Sequence, residues 1–503
     1  MSLYKDTKLV NRLKRETNAE VLFDEFSRGM YSTDASIYQI KPIGVVIPKN
    51  EEDILGIISI ANDFNVSLTI RGSGTSQCGQ TIGKGIIVDI SKYLNRLIKV
   101  DIEKRLAVVQ PGIFLDQLNS MLKVHGLYFP VDVSTSSRAT IGGMTGNNSC
   151  GARSIKYGKM VDNIRAIDTF LVNGNSMFFG ELEKKDYTFD KEWKQKLVKT
   201  LLDLGIREAD EVKRRFPKLQ RRVGGYNLDI LNSEGNSPIN LAHLLVGSEG
   251  TLAFSKEIYL DLHPIPEHSV LGVCHFPTFF QAMSATQHIV ELSPNAVELV
   301  DQTMIELASK IPLFNEKLKR FVKGKPGSLL IVEFAGEELY ILKNKLKELD
   351  NLMRDLGFND AVVEALDPGF QKEIWNVRKS GLNIMMSMKG DGKPVSCIED
   401  CAVELKDLAE YTSRLNDLFS KYQTTGTWYA HASVGCLHVR PVLNLKQEMD
   451  ARKLRAITEE TFEIVRDTPL MEIDAFSIKD LYKNLSESLN LITQDFSIIL
   501  IFA

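Results

Sequence analysis

The sequence has few cysteines, little net charge and no long apolar run, and each of these scarcities excludes a class of protein. Its 503 residues include six cysteines and three tryptophans, and the formal net charge is only −4. No window approaches the roughly 20 consecutive apolar residues that a membrane-spanning helix needs, and residues 1–16 lack the apolar core of a signal peptide. The small net charge gives no electrostatic case for a nucleic-acid partner. We therefore expect a cytoplasmic protein, with peripheral attachment at the inner face of the membrane left open.

The scarcity of cysteine also limits the metal centres that we expect. The six are scattered along the sequence as Cys78, Cys150, Cys274, Cys397, Cys401 and Cys436. Such scatter suits a reducing compartment better than a disulfide framework. Cys397 and Cys401 are four residues apart, but no second pair follows them. We therefore expect no iron–sulfur cluster in this chain.

A long stretch of small and polar residues, 130–163, is the most distinctive feature that is present. Its glycines are Gly142, Gly143, Gly146, Gly151 and Gly158. In a compact domain such a stretch is usually functional or disordered, and its low charge argues against disorder. Small side chains let the main chain approach a ligand closely, and exposed N–H groups and hydroxyls suit a diphosphate and a planar, amide-like ring. A long surface loop is the alternative.

A second glycine-rich segment, Arg71–Gly79, lies between the apolar runs Val66–Ile70 and Gly85–Ile90. A Rossmann dinucleotide site needs a helix directly after its glycines and an acidic residue about 20 positions further on. Here a strand-like run follows instead, so we predict a phosphate-binding loop between two strands. We expect Arg71 to offset diphosphate charge. We also expect a bulky residue in place of Gly74 to fill the space of the pyrophosphate.

In these two segments the sequence resembles flavoproteins of the vanillyl-alcohol oxidase family, whose FAD-binding domain is of the PCMH type. Arg71–Gly79 is similar to the family's pyrophosphate loop, and residues 130–163 are similar to its P-x-D-x-S-x-x-x-x-A-T-I-G-G…N flavin segment. A third similarity is Leu244–Phe254, which contains the G-S-E-G-T-L element. The resemblance implies FAD bound between two α/β subdomains. Some members attach FAD covalently through a histidine in the pyrophosphate loop, but this loop contains none, so we expect non-covalent FAD.

The resemblance further implies which residues bind the cofactor. They are Arg71, Gly72, Ser73, Gly74, Thr75, Ser76, Pro130, Ser134, Ser137, Thr140, Gly143, Asn147, Ser149, Asn163, Glu249 and Thr251.

Length and resemblance together predict the domain order. A chain of 503 residues should contain two to three domains. We expect an α+β protein in which a two-subdomain PCMH-type FAD-binding domain, 37–266, follows an N-terminal helical segment, 1–36. A ferredoxin-like, antiparallel-sheet substrate (cap) domain is expected at 267–467, with helices on one face of its sheet. The charged residues 182–222 are predicted to form a solvated helical insertion, and a docking surface for a partner protein is the alternative.

Local patterns predict individual elements. Asn50 is a favourable N-cap for a helix over Glu51–Phe64, which has apolar residues at helical spacing. Residues 173–175, Asn-Gly-Asn, are typical of a hairpin turn after a strand. One short helix is predicted within Asn18–Gly29.

Two histidines in the second half, His431 and His438, are the strongest candidates for catalysis. They are seven positions apart in the segment Thr427–Pro441, and neutral imidazoles so placed can ligate one divalent metal ion. A purely structural role for buried histidines is the alternative. The pair resembles the H-x-G-D-G-N-L-H motif of FAD-linked D-2-hydroxyacid dehydrogenases, a group that contains D-lactate, glycolate and D-2-hydroxyglutarate dehydrogenases. The resemblance implies a Zn or Mn ion on His431 and His438, which we expect to be weakly bound.

The same dehydrogenase group supplies an expectation for substrate binding. Arg378 stands in a W-x-x-R context, and in the group such an arginine clamps the substrate carboxylate, as a planar guanidinium can do in a bidentate pair. Arg440 and Lys393 are further candidate cations for a small 2-hydroxyacid. A surface arginine and an exposed loop lysine are the alternatives for Arg378 and Lys393. The resemblance implies hydride transfer from the substrate to flavin N5 and a separate electron acceptor: a quinone, a cytochrome or an iron–sulfur protein. A homo-oligomer stays open.

The sequence also departs from this group. Ser433, Val434 and Cys436 replace the interior Gly-Asp and Asn of the histidine motif, and no histidine follows His438 to supply the group's E-H-G-D-G element. Residues 468–503 resemble nothing in the family, so we expect a frame change or early stop near residue 467, after the flavin half of a fused FAD/iron–sulfur protein. An FAD-binding fragment or subunit with impaired catalysis is therefore the alternative function. An ether-lipid-forming synthase on the same fold is a third, less favoured because Arg378 and the histidines follow the dehydrogenase pattern.

Overall fold

The computed structural model describes residues 7–182, 189–232 and 238–466. The predicted tail, 468–503, lies outside the described residues. The first part of the chain is built on a four-stranded sheet with the order β1-β2-β4-β3, in which β1 is antiparallel to β2 and the other pairs are parallel. Its elements are α1 (Thr7–Glu16), β1 (Glu20–Leu22), α2 (Glu25–Met30), β2 (Gly44–Ile47), α3 (Glu51–Asp63), β3 (Leu68–Arg71) and β4 (Ile86–Asp89).

Two local predictions for this part have different outcomes. The α3 prediction is confirmed, because the Asn50 side chain accepts a hydrogen bond from the main-chain N–H of Asp53 and the isoleucine face of the helix is buried. The short helix predicted within Asn18–Gly29 is present as α2, but the first half of that range is not helical. Residues 20–22 pair with β2 as a strand, and α2 begins only after Asp24, whose side chain caps it. Pairing with the neighbouring sheet satisfies the main chain here, and single-sequence periodicity does not reveal such pairing.

A five-stranded antiparallel sheet follows, with the order β5-β6-β10-β8-β9. Asn173–Asn175 form the turn between β8 and β9, as predicted. In the segment 182–222, the described residues form α7 and α8. Leu197, Val198 and Leu201 of α7 pack against the core of this sheet, so the insertion is amphipathic rather than fully solvated. The elements are β5 (Leu97–Asp101), β6 (Leu106–Val109), α4 (Leu115–Leu122), β7 (Leu127–Tyr128), α5 (Ile141–Asn147), α6 (Ser154–Tyr157), β8 (Ile164–Phe170), β9 (Ser176–Phe179), α7 (Glu192–Arg207), α8 (Ala209–Arg215), α9 (Ala242–Leu245), β10 (Phe254–Asp261) and β11 (His263–Pro264).

The rest of the chain is organised on an antiparallel sheet of eight strands, with the order β15-β12-β14-β13-β18-β19-β16 and β17 paired to β19. Its elements are β12 (His268–Phe276), α10 (Phe279–Ile289), β13 (Ala296–Asp301), α11 (Gln302–Ser309), α12 (Pro312–Phe321), β14 (Ser328–Gly336), α13 (Leu339–Asp355), β15 (Val362–Ala365), α14 (Pro368–Lys379), α15 (Gly381–Met386), β16 (Lys393–Pro394), β17 (Ile398–Ala402), α16 (Leu408–Lys421), β18 (Gly426–His431), β19 (Cys436–Leu443) and α17 (Glu448–Arg466). The predicted α+β fold with antiparallel sheets is thus present.

Helices cover both faces of this sheet, so the prediction of helices on one face is wrong. Helices α10, α13 and α16 pack on the face that contains Val270 and Cys274. Helices α11, α12 and α14 pack on the face that contains Leu271 and Val273. A strand that is apolar on both sides requires cover on both sides, and this continuous apolar run in β12 was the available signal.

The apolar cores change along the chain near the predicted domain boundary. The core of the five-stranded sheet ends at Leu262, and the cores of the eight-stranded sheet begin at Val270. The boundary near residue 266 stays a proposal. None of the helices in the described ranges combines the length and the apolar character that crossing a membrane requires.

Candidate cofactor and active site

A cavity of about 500 Å³ lies between the first half of the chain and the eight-stranded sheet. The cavity is lined by the turn after β3, the stretch that contains α5, the residues around Glu249, the end of the charged insertion at Arg221, and strands β13, β18 and β19 with helix α14. The two glycine-rich segments and the two histidines singled out in the sequence therefore border one space.

The turn after β3 faces the cavity with its main chain. Residues 73–77 all line the cavity, and their main-chain N–H groups donate no hydrogen bond to any other residue that the structure describes. Successive N–H groups in a turn form a concave binding site for an anion. This turn therefore fits the diphosphate of a dinucleotide.

Arg71 lies behind this turn and does not line the cavity. Its Nη1 donates to the carbonyl oxygen of Thr33 at 2.9 Å, and its guanidinium lies 5.2 Å from the ring centroid of Tyr31. Gly74 has φ +67°, and a Cβ on it would lie 2.4 Å from Nη2 of Arg71. The predicted contact of Arg71 with the diphosphate is therefore not supported by its position. A side chain at Gly74 would meet this guanidinium rather than fill the pyrophosphate space.

The stretch 130–163 supplies the opposite wall, and most of the predicted cofactor-binding residues lie on it or on the turn. The side chain of Thr140 accepts a hydrogen bond from the N–H of Gly143 and so caps α5. The predicted residues that line the cavity are Gly72, Ser73, Gly74, Thr75, Ser76, Pro130, Ser134, Thr140, Gly143, Asn147, Ser149 and Glu249.

Three further predicted cofactor-binding residues lie outside the cavity wall. Ser137 is exposed on a turn. The buried amide of Asn163 donates to the carbonyl oxygens of Tyr157 and Lys159, at 2.7 and 2.8 Å, and so holds the end of the loop. The hydroxyl of Thr251 donates to the carbonyl oxygen of Ser248. The direction of these three side chains was not readable from the sequence.

Glu249 is an unusual acid on this wall. Its main chain adopts φ +52°, and its carboxyl accepts hydrogen bonds from Asn147 at 3.2 Å and Gln80 at 3.3 Å. The side chain is open to the cavity but surrounded by protein, and this desolvation raises the pKa of Glu249 to about 7. A carboxyl that is neutral below pH 7 suits a site that receives a diphosphate.

At the other end of the cavity, neighbouring strands bring the two histidines together. Glu298 of β13 lies directly opposite His431 of β18, and Tyr429 of β18 lies opposite His438 of β19. The ring centroids of His431 and His438 are 5.0 Å apart. Nδ1 of His431 is 2.9 Å from a carboxylate oxygen of Glu298, which is 1% exposed.

Arg378 joins this cluster from helix α14. It is 2% exposed, so the surface position considered in the sequence analysis is wrong. Its Nη2 donates to Glu298 and to the carbonyl oxygen of Ala430, and its guanidinium lies 3.5 Å from the ring centroid of Tyr429. Arg378 also lines the cavity, which is the position that a carboxylate clamp requires.

Burial and charge decide the protonation of this cluster. Burial lowers the pKa of His431, although Glu298 opposes this shift, so the imidazole is neutral at pH 7. Burial alone would raise the pKa of Glu298, but its interactions with His431 and Arg378 outweigh burial and lower that pKa. The site therefore combines a buried carboxylate with a neutral imidazole and a cationic guanidinium.

The other two predicted substrate-binding cations differ in position. Arg440 lines the cavity, and its Nη2 donates to the side-chain oxygen of Gln77 at 2.9 Å, which links β19 to the turn after β3. Lys393 does not line the cavity, because its ammonium group donates to the carbonyl oxygen of Met388. Lys393 is half-buried in the short strand β16, so the exposed loop position that was its alternative is wrong as well.

Three residues of this candidate site were missed by sequence reasoning. Glu298 lies in the apolar run of β13, where an acid among buried residues was the available signal. Arg221, 5% exposed, reaches the cavity from the end of the charged insertion. Arg153 donates to Glu333 at 2.7 and 2.8 Å and to Asp132 at 3.1 Å, and so ties the stretch 130–163 to β14.

The histidine pair is the candidate metal site. Within the described ranges, no group of three or more His, Cys, Asp or Glu side chains is arranged to hold a metal ion. Any Zn or Mn ion on His431 and His438 would therefore have two protein ligands from this part of the chain.

Comparisons with known proteins define the class to which this fold and site belong. Residues 42–178 match the family described as FAD binding domain, and residues 265–468 match FAD linked oxidases, C-terminal domain. The protein is thus an FAD-binding flavoprotein. It belongs to the PCMH-type FAD-linked oxidase family, as the resemblance of its motifs predicted.

Individual relatives agree with this family. D-2-hydroxyglutarate dehydrogenase of Haemophilus influenzae is 31% identical over 455 residues, which are 86% of this chain but 44% of that protein. The chain thus spans less than half the length of this relative. Glycolate oxidase subunit GlcD of Bacillus subtilis is 26% identical, with 88% of this chain and 82% of that protein covered.

A solved structure of alkyldihydroxyacetonephosphate synthase is similar in fold, with a TM-score of 0.66 and 18% sequence identity. The match covers 96% of this chain and 83% of the synthase. At this identity the likeness shows the fold alone.

Proposed function

We propose that this chain binds FAD non-covalently and oxidises a D-2-hydroxyacid to the 2-oxoacid. One observation carries the proposal: Arg378 and the two histidines line the same cavity as the open N–H groups of residues 73–77. A carboxylate-binding cation and a diphosphate-binding turn thus face one space. The relatives named for D-2-hydroxyglutarate and glycolate support the substrate class.

The first half of the chain holds the cofactor in this proposal. The turn at 73–77 receives the diphosphate, and Thr140, Gly143 and Asn147 border the opposite wall. The chemistry that FAD would supply when bound is acceptance of a hydride from Cα of the substrate, while a base takes the proton of the hydroxyl. Electrons then pass to a separate acceptor, for which a quinone, a cytochrome and an iron–sulfur protein are the candidates.

The second half of the chain holds the substrate. Arg378 binds the carboxylate next to the hydroxyl, and its contact with Glu298 keeps the guanidinium in place. The neutral imidazole of His431 and the ring of His438 hold the hydroxyl. Two imidazoles alone would bind Zn or Mn weakly, and dialysis against a mild chelator would remove the ion.

Arg221 and Arg440 favour a substrate with a second carboxylate. Both line the cavity, and the charge of Arg221 is close enough to His431 to lower the pKa of that histidine. A dicarboxylic acid such as D-2-hydroxyglutarate would use these cations, whereas D-lactate and glycolate have no group to offer them.

Anaerobic mixing of the FAD-loaded protein with paired D- and L-2-hydroxyacids tests the proposal. The flavin absorbance near 450 nm should bleach with D enantiomers, most with D-2-hydroxyglutarate, and acid precipitation should release the FAD. Bleaching by L enantiomers only would contradict the stereochemistry. FAD that stays with the acid pellet would contradict the non-covalent attachment.

An FAD-binding subunit without turnover of its own is the second candidate. It is favoured by the absence of a third metal-ligating side chain beside His431 and His438 among the described residues. In this case the protein would contain FAD, yet no hydroxyacid of either hand would bleach it.

A further inference from the structure

We infer that Glu298 is a positioning residue that fixes the tautomer of His431 and the orientation of Arg378. Its consequence for catalysis rests on the proposed function. Its effect on the two side chains rests on the geometry alone.

The strand register places Glu298 between its two partners. Strand β13 pairs with β18 so that Glu298 stands directly opposite His431. One carboxylate oxygen lies 2.9 Å from Nδ1 of His431, and the other accepts a hydrogen bond from Nη2 of Arg378. The flanking residues Val297 and Leu299 point to the opposite face of the sheet, into its apolar core.

Because the Glu298 side chain is buried, its carboxylate needs both of these contacts. Its side chain and that of Arg378 are each 2% exposed. A carboxylate so far from water is costly unless it is paired and hydrogen-bonded. Each of its oxygens has one such partner.

The contact with Nδ1 decides which nitrogen of His431 is available for chemistry. A neutral imidazole has one N–H donor and one acceptor nitrogen. A carboxylate can only accept, so the hydrogen of neutral His431 lies on Nδ1. The unprotonated nitrogen is then Nε2, which is the one left to serve a substrate hydroxyl or a metal ion.

The same carboxylate fixes Arg378. Its Nη2 is held by Glu298 and by the carbonyl oxygen of Ala430, while the ring of Tyr429 lies against the guanidinium. Contacts from β13 and β18 together leave little freedom for the guanidinium. Glu298 therefore sets the direction of both Arg378, which we assign to the substrate carboxylate, and His431, which we assign to the substrate hydroxyl.

The tautomer is measured by NMR on FAD-loaded protein with ¹⁵N-labelled histidine, with the His431 signals assigned by their loss in His431→Asn. The wild-type protein should show His431 with its hydrogen on Nδ1. In Glu298→Gln the amide cannot serve as acceptor to both partners, so the signals of His431 should change. Hydrogen on Nε2 in the wild type, or signals of His431 unchanged in Glu298→Gln, would overturn the inference.

Kinetics give the second readout. Glu298→Gln should slow flavin reduction roughly 10–100-fold, the usual effect of removing a carboxylate that orients a functional histidine. It should also weaken binding of 2-oxoglutarate, because Arg378 loses its partner. Asp301→Asn is the matched control: it changes another buried acid of β13 that does not line the cavity, and it should leave both measurements unchanged.

The two proposals fail in different ways. If the wild type is not reduced by any hydroxyacid, the proposed function fails, while the NMR experiment still decides the role of Glu298. If the wild type is reduced normally but Glu298→Gln behaves like Asp301→Asn, only the positioning role is refuted.

Discussion

Replacing Gly74 by alanine should weaken FAD binding through the arginine that lies behind the turn. The main chain of Gly74 has φ +67°, and an added Cβ would lie 2.4 Å from Nη2 and 2.8 Å from Cζ of Arg71. The left-handed conformation itself costs an L-residue about 1–2 kcal/mol. Moving Arg71 away also sacrifices its hydrogen bond to the carbonyl oxygen of Thr33, which for a charged donor contributes about 1.5–3 kcal/mol.

Gly126→Ala separates these two costs. Gly126 has the same φ of +67°, but an added Cβ would have no neighbour within 4 Å. Both variants should lose the conformational contribution to stability. Only Gly74→Ala should also displace Arg71, which lies behind the turn, and so change the shape of the turn and its FAD affinity. A difference of about 2 kcal/mol corresponds to roughly 30-fold weaker binding.

Fluorescence titration of the apoprotein with FAD measures this difference, and thermal unfolding measures the shared loss of stability. A double-mutant cycle with Arg71→Ala adds a second check, because Gly74→Ala should cost less FAD affinity once the guanidinium is gone. Equal FAD affinity in Gly74→Ala and Gly126→Ala would refute the reasoning.

Three further perturbations follow from buried charges. Desolvation raises the pKa of Glu249 to about 7, so its ionisation above pH 7 places a negative charge next to the diphosphate. FAD retention should therefore fall above pH 7 in the wild type but not in Glu249→Gln. Fluorescence of released FAD from pH 6 to 8.5 measures this. Burial raises the pKa of Asp301 from 3.8 to about 6, so the stabilising protonated form is lost as pH rises through this interval. The free energy of unfolding should therefore fall from pH 4 to 6 in the wild type, and a flatter profile is expected in Asp301→Asn by chemical denaturation. Glu333→Ala should cost about 2 kcal/mol by the same method, since it removes two hydrogen bonds from Arg153; an unchanged midpoint would contradict the bridge.

The sequence was most informative where the physical signal is local. Asn50 and the isoleucines of α3 lie within one helix, and the turn at 173–175 needs only its own residues. The glycine-rich segments were recognisable because close main-chain approach to a ligand restricts residue type over a continuous stretch. These features gave the correct fold class and cofactor class.

The direction of individual side chains was not local and was therefore missed. Arg71 faces Thr33 rather than the cavity because the segment before β2 folds over the turn. Glu298 and His431 are 133 positions apart and meet only through strand register. Likewise, residues 20–22 became a strand because β2 offered an edge. Such contacts form only when helices and strands from distant parts of the sequence pack together, so they cannot be predicted from the residues of one segment.

The central claim is that the FAD site and the carboxylate site adjoin in one cavity. Absorbance titration of the oxidised, FAD-loaded protein with 2-oxoglutarate, which the flavin cannot oxidise, tests it most directly. We predict a saturable change of the flavin spectrum that is lost in Arg378→Met and retained in Lys393→Met, because Arg378 lines the cavity and Lys393 does not. A spectrum that does not respond, or that responds equally in both variants, would contradict the account.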